Sequence, residues 1–127
     1  MEHTKRGIVH VHDVWDGHLF GELQEMSLGL IMKTTKRGYN RLRLTDYIAK
    51  NRPDAIIINT PLLSQAVIKM ARKATKLPIL YIASQRLARR RTLKLLSTER
   101  VLWRETLTGF AVIGALHDCL TELPVHS

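Results

Sequence analysis

The chain of 127 residues holds one cysteine, Cys119, so no disulfide can form within it and a reducing compartment is the simple expectation. It has no long hydrophobic run: the longest, Phe110–Leu116, is far short of the roughly 20 apolar residues that cross a bilayer. No secretory leader pattern opens it, because Met1–Arg6 is polar and leads directly into an apolar stretch. A cytoplasmic protein without membrane association is expected. Aromatic residues are scarce, at 6%, which leaves few platforms for stacking nucleic-acid bases. Gly7 begins neither a P-loop nor a GxGxxG turn, so no phosphate cradle is present in the sequence. Acidic residues are also few, eleven against twenty Lys and Arg, for a net charge of +9. That field favours acidic partners without specifying a fold. No repeat, low-complexity tract or linker divides the chain. It reads as one domain, 1–127, with its core over 7–122 and a flexible tail at 123–127.

What is present is a rhythm of five strand–helix units. Gly7–His12 is a short β-rich run. Leu19, Leu23, Met26, Leu30 and Ile31 then recur at helical spacing. Lys33, Lys36 and Arg37 fall in the last turn of that predicted first helix, and Gly38 provides its stop. Tyr39–Leu44 reads as a second, edge strand, and Thr45 as the cap of a second helix that ends before Pro53. Ala55–Ile58 is an apolar β-branched run, as expected of a strand buried on both faces. A third helix spans about 64–75 with Val67, Met70, Ala71 and Ala74 inward, and Ile79–Ile82 is the fourth strand. A basic fourth helix over about 87–97, a fifth strand over Arg100–Arg104 and a fifth helix over about 107–120 complete the pattern. Phe110, Ile113, Leu116 and Leu120 form the apolar stripe of the last helix.

Strands alternating with helices predict a three-layer α/β domain: a parallel five-stranded sheet, flavodoxin-like (βα)5, in the order 2-1-3-4-5. That topology brings His12, Asp13, Trp15, Asp16, His18, Asn59, Thr60, Ser84 and Arg104 to the carboxyl edge of the sheet, where α/β folds hold ligands.

With these positions in place, the chain resembles the receiver domain of two-component response regulators over nearly its whole length. In that family the first strand ends in an acidic, magnesium-binding pair and the third in the phosphorylated aspartate. The fourth ends in Thr or Ser, and the fifth in a lysine that pairs with the phosphoryl group. The matching positions are His12-Asp13, Asn59, Ser84 and Arg104. Only Asp13 and Ser84 keep the family's residue type, and Arg104 keeps the charge on a forked guanidinium. The resemblance implies a pseudo-receiver: a non-catalytic signalling or regulatory module that works by protein–protein interaction. An amide at Asn59 is a poor nucleophile toward phosphorus, and one missing acid weakens any magnesium site.

The first loop, HVHDVWDGH, packs three histidines and two aspartates into nine residues and could supply metal ligands. Solvated or hydrogen-bonded loop residues are the competing reading. Asp16, His18 and Gly21 also resemble the Asp-x-His-x-x-Gly signature of cobalamin-binding domains, in which the histidine ligates cobalt. This resemblance implies a small-molecule binding loop at Asp16, His18 and Gly21, and together with His12 and Asp13 these residues are the candidate ligand or metal loop. The family's small residues after the third and fourth strands are missing, where this chain has Asn59-Thr60-Pro61 and Ala83-Ser84.

Lys69, Arg72, Lys73 and Lys76 project from the third helix, and Arg86, Arg89, Arg90, Arg91 and Lys94 from the fourth. Merged, they form a positive surface for an acidic protein partner, with nucleic acid as the alternative. A solvated helical face is the plainer reading of the same charges. The receiver resemblance implies that the fifth helix is a face for pairing with a partner or a second copy of the chain, while ordinary burial against the sheet explains most of its apolar stripe.

Overall fold

The computed structural model describes residues 6–12, 30–35, 41–86 and 94–121. Within them the order is β1 (Arg6–His12), β2 (Leu30–Thr35), α1 (Arg41–Asn51), β3 (Ala55–Asn59), α2 (Gln65–Ala74), β4 (Ile79–Ala83), β5 (Glu99–Trp103) and α3 (Gly109–Thr121), with a 3-10 turn at Arg104–Thr106 after β5. The fold is α/β. β1, β3, β4 and β5 lie side by side and parallel. The backbone of β2 runs parallel along the other side of β1, from Arg6 opposite Leu30 to Val11 opposite Thr35.

Alternation along the strands sorts their side chains into two cores. Ile8, Ala55, Ile57, Leu80 and Ile82 face Val112, Ala115 and Leu116 of α3. Val9, Val11, Ile56, Ile58, Ile79 and Tyr81 face the opposite side, under Leu44 of α1 and Ile68 and Ala71 of α2. Every residue of β3 and β4 is buried, as the apolar runs Ala55–Ile58 and Ile79–Ala83 require, and Asn59 is buried at the end of β3 with them. Each fully buried branched aliphatic side chain contributes roughly 1.5–3 kcal/mol. Among the described residues no helix is long and apolar enough to cross a membrane.

Local signals explain the element ends. Ser64 caps α2 by accepting from the Val67 amide at 3.4 Å. Thr108 caps α3 in the same way, its hydroxyl accepting from the Ala111 amide at 3.1 Å. α1 stops where Arg52 adopts φ 45°, a left-handed position ahead of Pro53. Asp54 then ties the start of β3 to β1: its carboxylate accepts from the Gly7 amide at 2.9 Å, and its own amide donates to the Gly7 carbonyl at 2.7 Å.

Four expectations from the sequence are corrected. Leu30–Thr35 is strand, not the end of a first helix. Its β-branched Ile31, Thr34 and Thr35 suit a strand, and its backbone satisfies groups of β1 that would otherwise form an open edge. Leu19, Leu23 and Met26 lie outside the described residues. Arg41–Leu44 belongs to a helix rather than to a strand over Tyr39–Leu44. A strand would place Leu42 and Leu44 on one face, whereas a helix turns them about 200° apart. Leu44 is fully buried and Leu42 is 74% exposed.

Residues 94–97, expected in the fourth helix, are irregular chain and turn; residues 87–93 lie outside the described set. On α3 the buried positions are Val112, Ala115 and Leu116, while Phe110 is 80% exposed. Phe110 sits two residues from Val112 and therefore on the opposite side of the helix.

Candidate functional site

The strand registers bring three chain-distant residues to one edge. His12 lies opposite Asn59, Asn59 opposite Ile82, and Ala83 opposite Trp103. Parallel strands of matched length therefore end together, with Asn59, Ser84 and Arg104 at their carboxyl termini. The Thr60 amide donates to the Ile82 carbonyl at 2.9 Å, and the Ser84 amide to the Pro61 carbonyl at 3.0 Å. The segments that leave β3 and β4 are thus joined backbone to backbone.

Two polar ties hold this edge. Arg104 Nη1 donates to Asn59 Oδ1 at 2.5 Å, reaching from the end of β5 to the end of β3. Asn59 is fully buried and Arg104 is partly buried. The second tie centres on Glu105, in the turn after β5. Its Oε2 accepts from the Ser84 hydroxyl at 2.8 Å, and its Oε1 from the Gln85 amide at 2.8 Å. The Gln85 N–H first, and then the Ser84 hydroxyl, stabilise the anion and hold the Glu105 carboxyl below its ordinary range. Both residues that flank this edge on the β5 side carry charge, and each is engaged with a polar group on the β3–β4 side.

Chemically, the edge presents a buried amide, Asn59, at the end of β3. Its serine hydroxyl is already donated to a carboxylate. Of the residues expected here, Asn59, Ser84 and Arg104 come together; Thr60 is buried beside them. His12 is described by its backbone alone. Asp13, Trp15, Asp16, His18 and Gly21 lie outside the described residues. His10 is buried within β1, away from the strand ends. Among the described residues, no group of three or more His, Cys, Asp or Glu side chains stands together as a metal-ligating cluster.

Glu105 escaped the sequence reading because its role depends on a 3-10 turn that aims it back across β4. The one available hint was an acidic residue directly after the basic strand-end Arg104.

The basic surface divides. Lys69, Lys73 and Lys76 are exposed, as are Arg86 and Lys94. Arg72 instead turns onto Glu99, the first residue of β5: Nε donates to Oε2 at 3.0 Å and Nη2 to Oε1 at 2.6 Å. Nη2 also donates to the Lys94 carbonyl at 2.6 Å, and the Leu96 amide donates to Glu99 Oε1 at 2.7 Å. Glu99 is only 3% exposed. Its hydrogen-bonded carboxylate raises the Arg72 guanidinium above its ordinary range. Arg72 is thus a structural cation rather than a free member of a docking surface. Arg89, Arg90 and Arg91 lie outside the described residues.

Compared with models of known protein families the chain matches none, and a search of curated proteins returns no match.

Proposed function

We propose that this chain is a receiver-like, non-catalytic signalling or regulatory module that acts through protein–protein contact. Its frame is read as a flavodoxin-like (βα)5 fold with five parallel strands in the order 2-1-3-4-5. The observation that carries the reading is the hydrogen bond from Arg104 to Asn59. A cation at the end of β5 reaching the end of β3 is the arrangement that the resemblance implies, and here it meets the amide of Asn59. A carboxamide does not attack phosphorus as a carboxylate does. The link from Ser84 to Glu105 points the same way, because the strand-end hydroxyl is held by a neighbouring acid.

The join between the segments after β3 and β4 argues against the cobalamin reading. A nucleotide tail entering between those strand ends would meet Thr60, Pro61 and Ser84 where small residues are needed.

Incubation with acetyl phosphate and magnesium, followed by intact-mass spectrometry, tests the proposal. An unchanged mass is the expected result. A phosphoryl adduct that hydroxylamine removes would show an acyl phosphate and overturn it.

A further inference from the structure

At the edge of the sheet opposite Asn59, a groove of about 110 Å³ opens between the end of α2 and the starts of β4 and β5. Leu77, Ile79 and Leu96 supply its apolar lining, with Lys76 and the Arg72–Glu99 pair at its margin. On a comparable measure, a cavity of about 150 Å³ accepts benzene, so this groove is sized for a branched aliphatic side chain. Leu96 remains 55% exposed and the adjoining Leu95 37% exposed, which leaves apolar surface uncovered at the rim.

The charges next to it are ordered. Lys69 and Lys73 are one helical turn apart on α2, and Lys76 follows just past the end of the helix. All three are exposed, and α2 carries no acidic residue that could offset them. Lys69 and Lys73 are roughly 6 Å apart along the helix, close to the separation of residues two apart on an extended strand, and Lys76 follows two residues beyond Ala74, past the extended Thr75. The lysine line leads into the groove because Lys76 belongs to both.

We propose that this groove and its lysine line form a docking site for an acidic protein segment that inserts one aliphatic side chain and lays its carboxylates along Lys69, Lys73 and Lys76. The site rests on the reading of the chain as a contact module and names the chemistry of the contact. The apolar groove selects a protein segment over nucleic acid, since among the described residues no aromatic side chain lines it to stack a base. Arg72 contributes by position: paired with Glu99, it walls the groove, and its charge is engaged there while Lys69, Lys73 and Lys76 remain exposed.

The test is fluorescence anisotropy on the full chain with fluorescein-labelled peptides of glutamates surrounding one central Leu, Ile or Val, and an Ala peptide as comparator. The aliphatic peptides bind, and the Ala peptide binds about tenfold more weakly because most of the buried apolar area is gone. The double variant Lys73→Glu/Lys76→Glu weakens binding by at least about tenfold at low salt, and added salt weakens the wild type similarly. Leu96→Glu, at an exposed position, acts through the groove and gives a comparable loss. No binding by any peptide up to millimolar protein overturns the proposal. So does equal binding of the Ala and Leu peptides, indifference to the lysine variants, or an oligonucleotide that binds as tightly at the same salt. The acetyl phosphate experiment stays separate: an acyl phosphate adduct sinks the pseudo-receiver reading, whereas absent peptide binding sinks the groove alone.

Discussion

Arg104 at the end of β5 donates to the buried carbonyl oxygen of Asn59 at the end of β3, 2.5 Å away and 45 residues distant in the chain. The two strands do not touch, because β4 lies between them. One side chain therefore fixes the spacing of the sheet's carboxyl edge.

Arg104→Met removes a charge-assisted donor from that buried acceptor and is expected to lower stability by about 1–3 kcal/mol, with Arg104→Lys recovering part of the loss. Urea denaturation of the three proteins measures it. Equal midpoints would show that the contact contributes nothing.

Glu105 gives a pH signature. Its carboxyl is held low by the Gln85 amide and the Ser84 hydroxyl, so the folded value lies below the unfolded one. The sign follows from linkage: this contribution is present above the ordinary glutamate range and is lost as pH falls through the lowered folded value. Ser84→Ala should move the Glu105 titration upward toward the ordinary range, leaving a residual depression from the Gln85 amide. Carbon-detected NMR titration of the side-chain carboxyl reads this shift directly.

The Arg72–Glu99 pair predicts an asymmetry. Arg72→Met leaves a carboxylate that is 3% exposed with the Leu96 amide still donating to it, and should cost about 3 kcal/mol. Glu99→Gln keeps an acceptor and loses the charge, and should cost about 1 kcal/mol. Thermal and urea unfolding of both variants must rank them in that order.

On α3 the two faces should behave differently. Leu116→Ala opens a space in the core and is expected to cost about 2–5 kcal/mol. Phe110→Ser, at a position 80% exposed, should change stability by less than about 0.5 kcal/mol. A large loss for Phe110→Ser would mean that this side chain is covered by something in solution, and sedimentation would identify a second copy.

Several features were decided by residues close together in the chain. The runs 55–58 and 79–83 are apolar and rich in isoleucine, and runs this short, bounded by turn residues, suit strands buried on both faces. Ser64 ahead of an apolar periodic run announced α2, and the expected span of 64–75 differs from Gln65–Ala74 by little more than its caps. The gathering of Asn59, Ser84 and Arg104 at one edge followed from strand ends and chain order, since parallel strands joined by helices all finish on the same side.

Other features were settled only by the tertiary structure. Leu30 and Ile31 satisfy a helical spacing and a strand run equally well, and pairing with β1 chose the strand. The Arg–Leu–Arg–Leu alternation of 41–44 looks extended until Tyr47 and Ile48 join Leu44 on one helical face against the sheet. Arg72 could have belonged to the exposed basic line, and a carboxylate 27 residues away drew it out. By itself, the sequence determined which segments must be buried, because burial depends on the residues within each segment. Partner choice among charged and polar side chains depends on register between distant elements, and only the packed sheet decided it.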